Sequence, residues 1–148
     1  MNGSRFLPPV SAKHTGSRIS LYFLVLTATV STIRSLIHIL APDGGANSIA
    51  GLAVDVAGGD NLVALFAQWG AIQLILAAFY WLAILRYRFL VPLMLATVFL
   101  EHVLRLGAGD LKPLEVASAP PGAIGSYVLL PLSLIALVLS LRESSPHA

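Results

Sequence analysis

Four long apolar blocks follow one another along the chain, separated by short segments rich in glycine, proline or charge. The blocks cover residues 19–40, 61–85, 89–106 and 124–141. At a rise of about 1.5 Å per residue, a helix over each block would cross a hydrocarbon core of roughly 30 Å. The sequence therefore predicts an all-α fold, a four-transmembrane-helix bundle over residues 19–141, with a flexible polar tail at 1–18 and a second tail at 142–148.

Positive charge is distributed unevenly among the segments that connect the blocks. The two tails and the short turn between the second and third blocks contain Arg5, Lys13, Arg18, Arg86, Arg88 and Arg142. The other two connections contain Lys112 as their one basic residue, together with Asp43, Asp55, Asp60, Asp110 and Glu115. Because lysine and arginine are retained on the cytoplasmic side of membranes, both termini are predicted to lie in the cytoplasm, an N-in/C-in topology. The alternative for the first block is a cleaved signal peptide.

Composition agrees with a membrane location and excludes several classes of function. Apolar residues make up 57% of the chain and charged residues only 11%, against about a quarter charged in soluble domains. The net charge of +2 comes without a dense basic run, so we expect no nucleic-acid partner. The absence of cysteine excludes disulfides, thiol nucleophiles, iron–sulfur ligation and the cysteine-based quinone-coupled oxidoreductases of similar size and helix count.

Polar residues inside the blocks form the candidate site, since ionisable groups in spanning helices are costly and usually face a partner or a cavity. They are Arg34, His38, Gln68, Trp69, Gln73, Glu101, His102 and Arg105. Counted from the predicted outer ends of their helices, Arg34, Gln68 and Glu101 lie about 9, 10 and 8 Å deep. Three helices thus place strong polar groups at one level, which predicts a polar layer in the outer half of the bilayer, open to the outside.

Spacing within this layer indicates which groups pair. Arg34 and His38 lie four residues apart and share a helix face, as do Glu101 and Arg105. If Glu101 also contacts Arg34, one carboxylate serves two arginines, and the layer keeps a net positive charge able to accept an anionic or carbonyl-bearing ligand. The favoured interpretation of Glu101 with Arg34 or Arg105 is a structural ion pair that locks the bundle, with no cavity beside it, and a ligand site is the alternative. We expect His38 and Arg105 to extend towards lipid headgroups and the glutamines to form interhelical hydrogen bonds.

Aromatic and histidine residues allow two further predictions. Tyr80, Trp81 and Tyr87 are expected to form the cytoplasmic side of an aromatic belt, with Tyr127 on the outer side. The two histidines of the layer could ligate haem or a metal, but they lie near the surface and without carboxylate-rich spacing. We therefore expect no cofactor and no metal.

Three segments carry a resemblance to known membrane proteins. They are Phe66-Ala-Gln-Trp-Gly70, Leu85-Arg-Tyr-Arg-Phe-Leu-Val-Pro-Leu-Met94 and Leu100-Glu-His-Val-Leu-Arg-Leu-Gly107, the last followed by Lys112-Pro113. With the 41–50 loop, residues 30–141 resemble an uncharacterised family of small bacterial four-helix integral membrane proteins. In size, helix count and a polar third helix, the chain is also loosely similar to the DoxX-like group. The resemblance implies a multi-pass protein of the bacterial cytoplasmic (inner) membrane, and it implies no established activity and no catalytic residues.

These features leave three functions open. The sequence favours a binding or accessory protein whose polar pocket holds a membrane lipid, a quinone-like molecule or another small amphiphile, or docks a membrane partner. A subunit of a transporter or channel is the first alternative, and it would require a homo-oligomer or another membrane protein, because one copy of four helices rarely encloses a pathway. The second is a membrane enzyme acting on a lipid or quinone-like substrate, with Glu101 as acid or base and Arg34 or Arg105 binding an anionic group.

Overall fold

The computed structural model describes residues 7, 10, 16–116 and 120–142, and these residues form a bundle of four α-helices. The helices are α1 (Arg18–Leu40), α2 (Gly59–Leu85), α3 (Val91–Leu111) and α4 (Pro121–Leu141), with a 3-10 turn at Arg88–Leu90 before α3. Each of the four is long and apolar enough to cross a membrane. The prediction of an all-α, four-helix membrane bundle is thereby confirmed, and the chain is a multi-pass membrane protein. The predicted tails lie almost wholly outside the described residues.

Helix α3 ends five residues after its predicted apolar block, and helix α4 begins three residues before its block. Helix α3 continues past residue 106 to Leu111, through Gly107 and Gly109, because isolated glycines weaken a helix by only about 1 kcal/mol each and need not end it. Helix α4 begins at Pro121 rather than at residue 124. Proline is favoured in the first turn, where its missing N–H has no helical partner. Both extensions lie at the same end of the bundle, where they lengthen the helices on either side of the α3–α4 connection.

The two ends of the bundle differ. One end, called here the loop end, carries the 41–58 connection between α1 and α2 and the connection between α3 and α4. The other, the termini end, carries the start of α1, the 86–88 turn and the end of α4. The amide of Ser17 donates to the carbonyl oxygen of Leu139 at 3.3 Å, which joins the start of α1 to the end of α4.

Small residues let the helices approach closely, as is common in membrane bundles. Helix α4 presents Ser126, Ser133 and Ser140 to the interior at seven-residue intervals, and all three are at most 4% exposed. Each hydroxyl donates to a carbonyl oxygen of its own helix at 2.7–2.9 Å. The serines therefore bring small volume to the interface without leaving an unsatisfied polar group.

The 41–50 segment is folded into tight turns over the loop end. Gly44 and Gly45 have φ angles of +59° and +73°, in the region that only glycine adopts without strain. The Asp43 carboxylate accepts hydrogen bonds from the backbone amides of Gly45 at 2.9 Å and Ser48 at 2.6 Å. The Ser48 and Gly45 amides lower the Asp43 pKa to about 2. Because the pKa of Asp43 is lower in the folded state, the stability that these hydrogen bonds add is fully present above the ordinary pKa of an aspartate. It is lost as the pH falls towards about 2.

We predict that Gly70→Ala destabilises the protein, because Gly70 is where α2 touches α1. A Cβ there would lie 2.7 Å from the Cβ of His38 and 3.0 Å from the Ser35 carbonyl oxygen. Overpacking of this kind costs about 1–3 kcal/mol, so the thermal midpoint in detergent should fall. Gly125→Ala is the matched control, since a Cβ on Gly125 meets no atom within 4 Å. Equal midpoints for the two variants would contradict the close α1–α2 contact.

Candidate functional site

A cavity of about 510 Å³ lies at the loop end, between all four helices and the 41–50 segment. Its volume falls in the range of small-molecule sites, roughly 300–1,000 Å³. Its polar lining consists of Arg34, His38, Trp69, Arg105, Asp110 and Ser126. Its larger apolar lining residues are Ile49, Phe66, Leu106, Leu114, Val116 and Tyr127. One side of the layer anticipated from the sequence therefore opens into a cavity, the feature that a purely structural lock would lack.

Four side chains from α1, α2 and α3 form a hydrogen-bonded network at the inner side of this cavity. The Glu101 Oε1 atom accepts from Arg105 Nη2 at 2.5 Å and lies 3.8 Å from Arg34 Nη2. Gln73 bridges the same groups: its Nε2 donates to Glu101 Oε1 at 3.2 Å, and its Oε1 accepts from Arg34 Nη2 at 3.1 Å. One carboxylate is thus in contact with two guanidinium groups and one amide.

The network leaves positive charge and hydrogen-bond donors unsatisfied. Arg34 and Arg105 both line the cavity, whereas Glu101 stands behind them, and the side chains of the three are only 18–27% exposed. The Nε atoms of both arginines are buried and have no hydrogen-bond partner among the described residues. A buried donor without an acceptor costs about 1–3 kcal/mol, and more when it is charged. The site therefore favours an additional acceptor beside the two arginines.

Trp69 is the aromatic centre of the cavity wall. The guanidinium carbons of Arg34 and Arg105 lie 5.1 Å and 5.0 Å from its ring centroid, within the range of cation–π contacts. The His38 ring lies 5.0 Å and the Phe66 ring 5.9 Å from the same ring. These contacts hold the two arginines near each other despite their like charge.

Both histidines of the layer are buried and fixed by polar contacts. His38 Nδ1 lies 2.7 Å from the Gly44 carbonyl oxygen, so Nδ1 carries a hydrogen and donates it to that oxygen. His102 Nδ1 lies 3.4 Å from Ser126 Oγ, which itself donates to the Gly122 carbonyl oxygen at 2.9 Å. His102 Nδ1 is therefore also the donor. Among the described residues, no three histidine, aspartate or glutamate side chains come together as metal ligands.

The expectation that His38 and Arg105 extend to lipid headgroups is wrong. His38 is 4% exposed and bonds the 41–50 loop, and Arg105 is held by Glu101 and Trp69. Both side chains find better partners inside the bundle than at its surface, because the extended α3 and the loop enclose them.

Gln68 lies outside the cavity, whereas Tyr80, which was not assigned to the polar layer, lies near Glu101 and Arg34 of that layer. Gln68 is exposed on α2 and lines no part of the cavity. Tyr80 is fully buried, and its hydroxyl group has no hydrogen-bond partner among the described residues. Tyr80 and Tyr87 are both buried, so the belt expected at the termini end is wrong for them. Gln73 and Tyr80 lie seven residues apart and therefore share one helix face. This spacing in the sequence could have identified Tyr80 as a neighbour of the polar layer.

No known protein family, curated protein or solved structure matches this chain.

We predict that Glu101→Gln destabilises the bundle by about 3 kcal/mol, as expected for removing one partner of a largely buried ion pair. The variant leaves two arginines without a counter-charge in contact with them. Thermal unfolding in detergent and folded yield are the measurements. Glu115→Gln makes the same chemical change at an exposed residue and should behave as the parent. A Glu101→Gln protein as stable as the Glu115→Gln control would contradict the role of the network.

Proposed function

We propose that this protein is a multi-pass binding protein of the bacterial cytoplasmic membrane, and that its cavity binds a small amphiphile with an anionic headgroup. Under the N-in/C-in topology, the loop end faces outwards and the cavity lies in the outer half of the bilayer. The observation that carries the proposal is that Arg34 and Arg105 share the single carboxylate of Glu101 and that both arginines line the cavity.

Charge is the first support for an anionic ligand. Within the hydrogen-bonded network, two guanidinium groups contact a single carboxylate, which leaves a net positive charge there, and an unpaired charge within a membrane costs at least a few kcal/mol. One anionic headgroup in the cavity would offset this charge and accept hydrogen bonds from the guanidinium groups that line it. Arginine suits carboxylate and phosphate ligands because its planar fork offers two parallel N–H donors. Asp110 at the cavity wall adds a negative charge that disfavours more highly charged anions.

The cavity wall is the second support, because it is largely apolar away from the arginines. Ile49, Leu106, Leu114 and Tyr127 line it, and such a surface suits an alkyl chain or a ring rather than a small inorganic ion. Sites for small molecules commonly combine apolar walls with a few polar groups that fix the orientation. A lipid-derived molecule with one acidic headgroup satisfies both parts of the lining.

We predict that a cysteine in the 41–58 loop is labelled from outside the cell, whereas one at the C-terminus is not. The chain has no cysteine, so single variants report without background. Ala57→Cys places a thiol at an exposed loop position, and a cysteine appended after Ala148 is the paired variant. A membrane-impermeant maleimide applied to intact cells should modify the first, and the second only after lysis. Labelling of the C-terminal thiol in intact cells would refute N-in/C-in.

We predict that bromododecanoate quenches Trp69 fluorescence with an affinity at least about ten-fold above that of its methyl ester. A charge-assisted hydrogen bond contributes about 1.5–3 kcal/mol, and only the acid can form one as an anion. Trp81→Phe, which leaves Trp69 as the one tryptophan, provides the background for the titration in detergent micelles. Arg34→Gln and Arg105→Gln should remove the preference, whereas Lys112→Gln, at an exposed lysine, should not. Equal binding of acid and ester by the parent would overturn the proposal.

A further inference from the structure

The outward face of α2 carries a seven-residue repeat that the monomer does not use. Asn61, Gln68 and Ile75 lie at seven-residue intervals. Each is followed three residues later by an alanine, at positions 64, 71 and 78. All six are exposed, and we call them the α2 seam. Alternating spacings of three and four residues are the pattern by which two membrane helices pack side by side in a left-handed pair. Alanine at every second seam position allows the two backbones to approach closely.

Gln68 supplies an independent reason for this face to have a partner. Its side-chain amide has no hydrogen-bond partner among the described residues, and Gln68 is exposed. It lies nine residues after the start of the 27-residue α2, which is about 14 Å along a helix of about 40 Å. That depth is well inside a hydrocarbon core of roughly 30 Å. An amide facing lipid there would leave two donors and an acceptor unsatisfied, which is costly in the absence of water.

A second copy of this chain is the partner that meets these requirements. Copies inserted with the same topology are related by a two-fold axis along the membrane normal, so their α2 helices run parallel and equivalent residues lie at equal depth. Gln68 of each copy then faces Gln68 of the other. A carboxamide is both donor and acceptor, so two of them are complementary to each other. A single polar residue at such a seam position also fixes the register of the two helices.

We propose that the protein forms a parallel homodimer through the α2 seam, with paired Gln68 side chains at its centre. The interface lies on the face of α2 opposite to Gln73 and Tyr80, which point into the bundle, so it leaves the cavity lining free. The dimer therefore does not depend on the proposed ligand.

Disulfide cross-linking in native membranes tests the seam, since the chain has no cysteine of its own. Ala64→Cys, Ala71→Cys and Ala78→Cys are conservative in size and should form dimers under mild oxidation. Leu104→Cys on α3 and Val128→Cys on α4 are controls at residues that are 62% and 55% exposed, and they should remain monomeric. Equal yields at seam and control positions would indicate random collision and overturn the proposal.

The contribution of Gln68 is tested by the dimer fraction of the full-length protein in detergent, followed by light scattering on dilution. Gln68→Leu should raise the dissociation constant of the dimer about ten-fold. In model membrane helices, the free energy of one interhelical polar contact corresponds to about that factor. Ile72→Leu, an exposed change next to the seam, should leave it unaltered. A Gln68→Leu protein that dimerises as strongly as the parent, or a parent that is monomeric at every concentration, would overturn the proposal.

Discussion

The sharing of one carboxylate by two arginines is the interaction around which this bundle is organised. Each ion of the cluster is expensive in a medium of low dielectric constant, so each must be met by groups from other helices. Glu101 meets Arg105 on its own helix and Arg34 on α1, and Gln73 from α2 bonds both. The relative depth of the three helices is thereby fixed by hydrogen bonds that apolar packing alone would not specify.

The surrounding structure holds this cluster in place and encloses it. Gly70 lets α2 approach α1 at the level of His38, and His38 in turn bonds the Gly44 carbonyl oxygen. The loop turns therefore depend on the same helix contact that brings the Trp69 ring against both arginines. His102 and Ser126 connect α3 to α4 at 3.4 Å on the other side. Residues of the polar layer, or residues in contact with them, therefore make the helix contacts that border the cavity.

The sequence predicts which charged residues pair, but not the direction in which individual side chains point. The depths of Arg34 and Glu101, and the four-residue step to Arg105, follow from helix geometry, and the structure has all three in contact. Gln68 and Tyr80 were assigned to the wrong surroundings because a spanning helix is apolar on both its lipid-facing and its interior faces. Hydrophobic periodicity, which separates the two faces in soluble helices, is then too weak to fix which way a side chain points. Part of the cavity lining comes from the 41–50 loop and from the ends of α3 and α4. The sequence does not predict this part, because it depends on tertiary packing and on helix extensions that contain glycine.

The cavity beside the cluster, rather than the composition of the cluster, separates a candidate binding site from a structural lock. Two arginines and one carboxylate can form a purely structural triad, and a well-packed apolar substitute of similar volume is often at least as stable. Here a second arginine adds charge that Glu101 cannot fully compensate, and both Nε donors stay unpaired. An anion in the cavity beside Arg34 and Arg105 would offset that charge, in addition to the Asp110 carboxylate of the cavity wall. Because both arginines line the cavity of about 510 Å³, it offers space for such an anion beside their guanidinium groups.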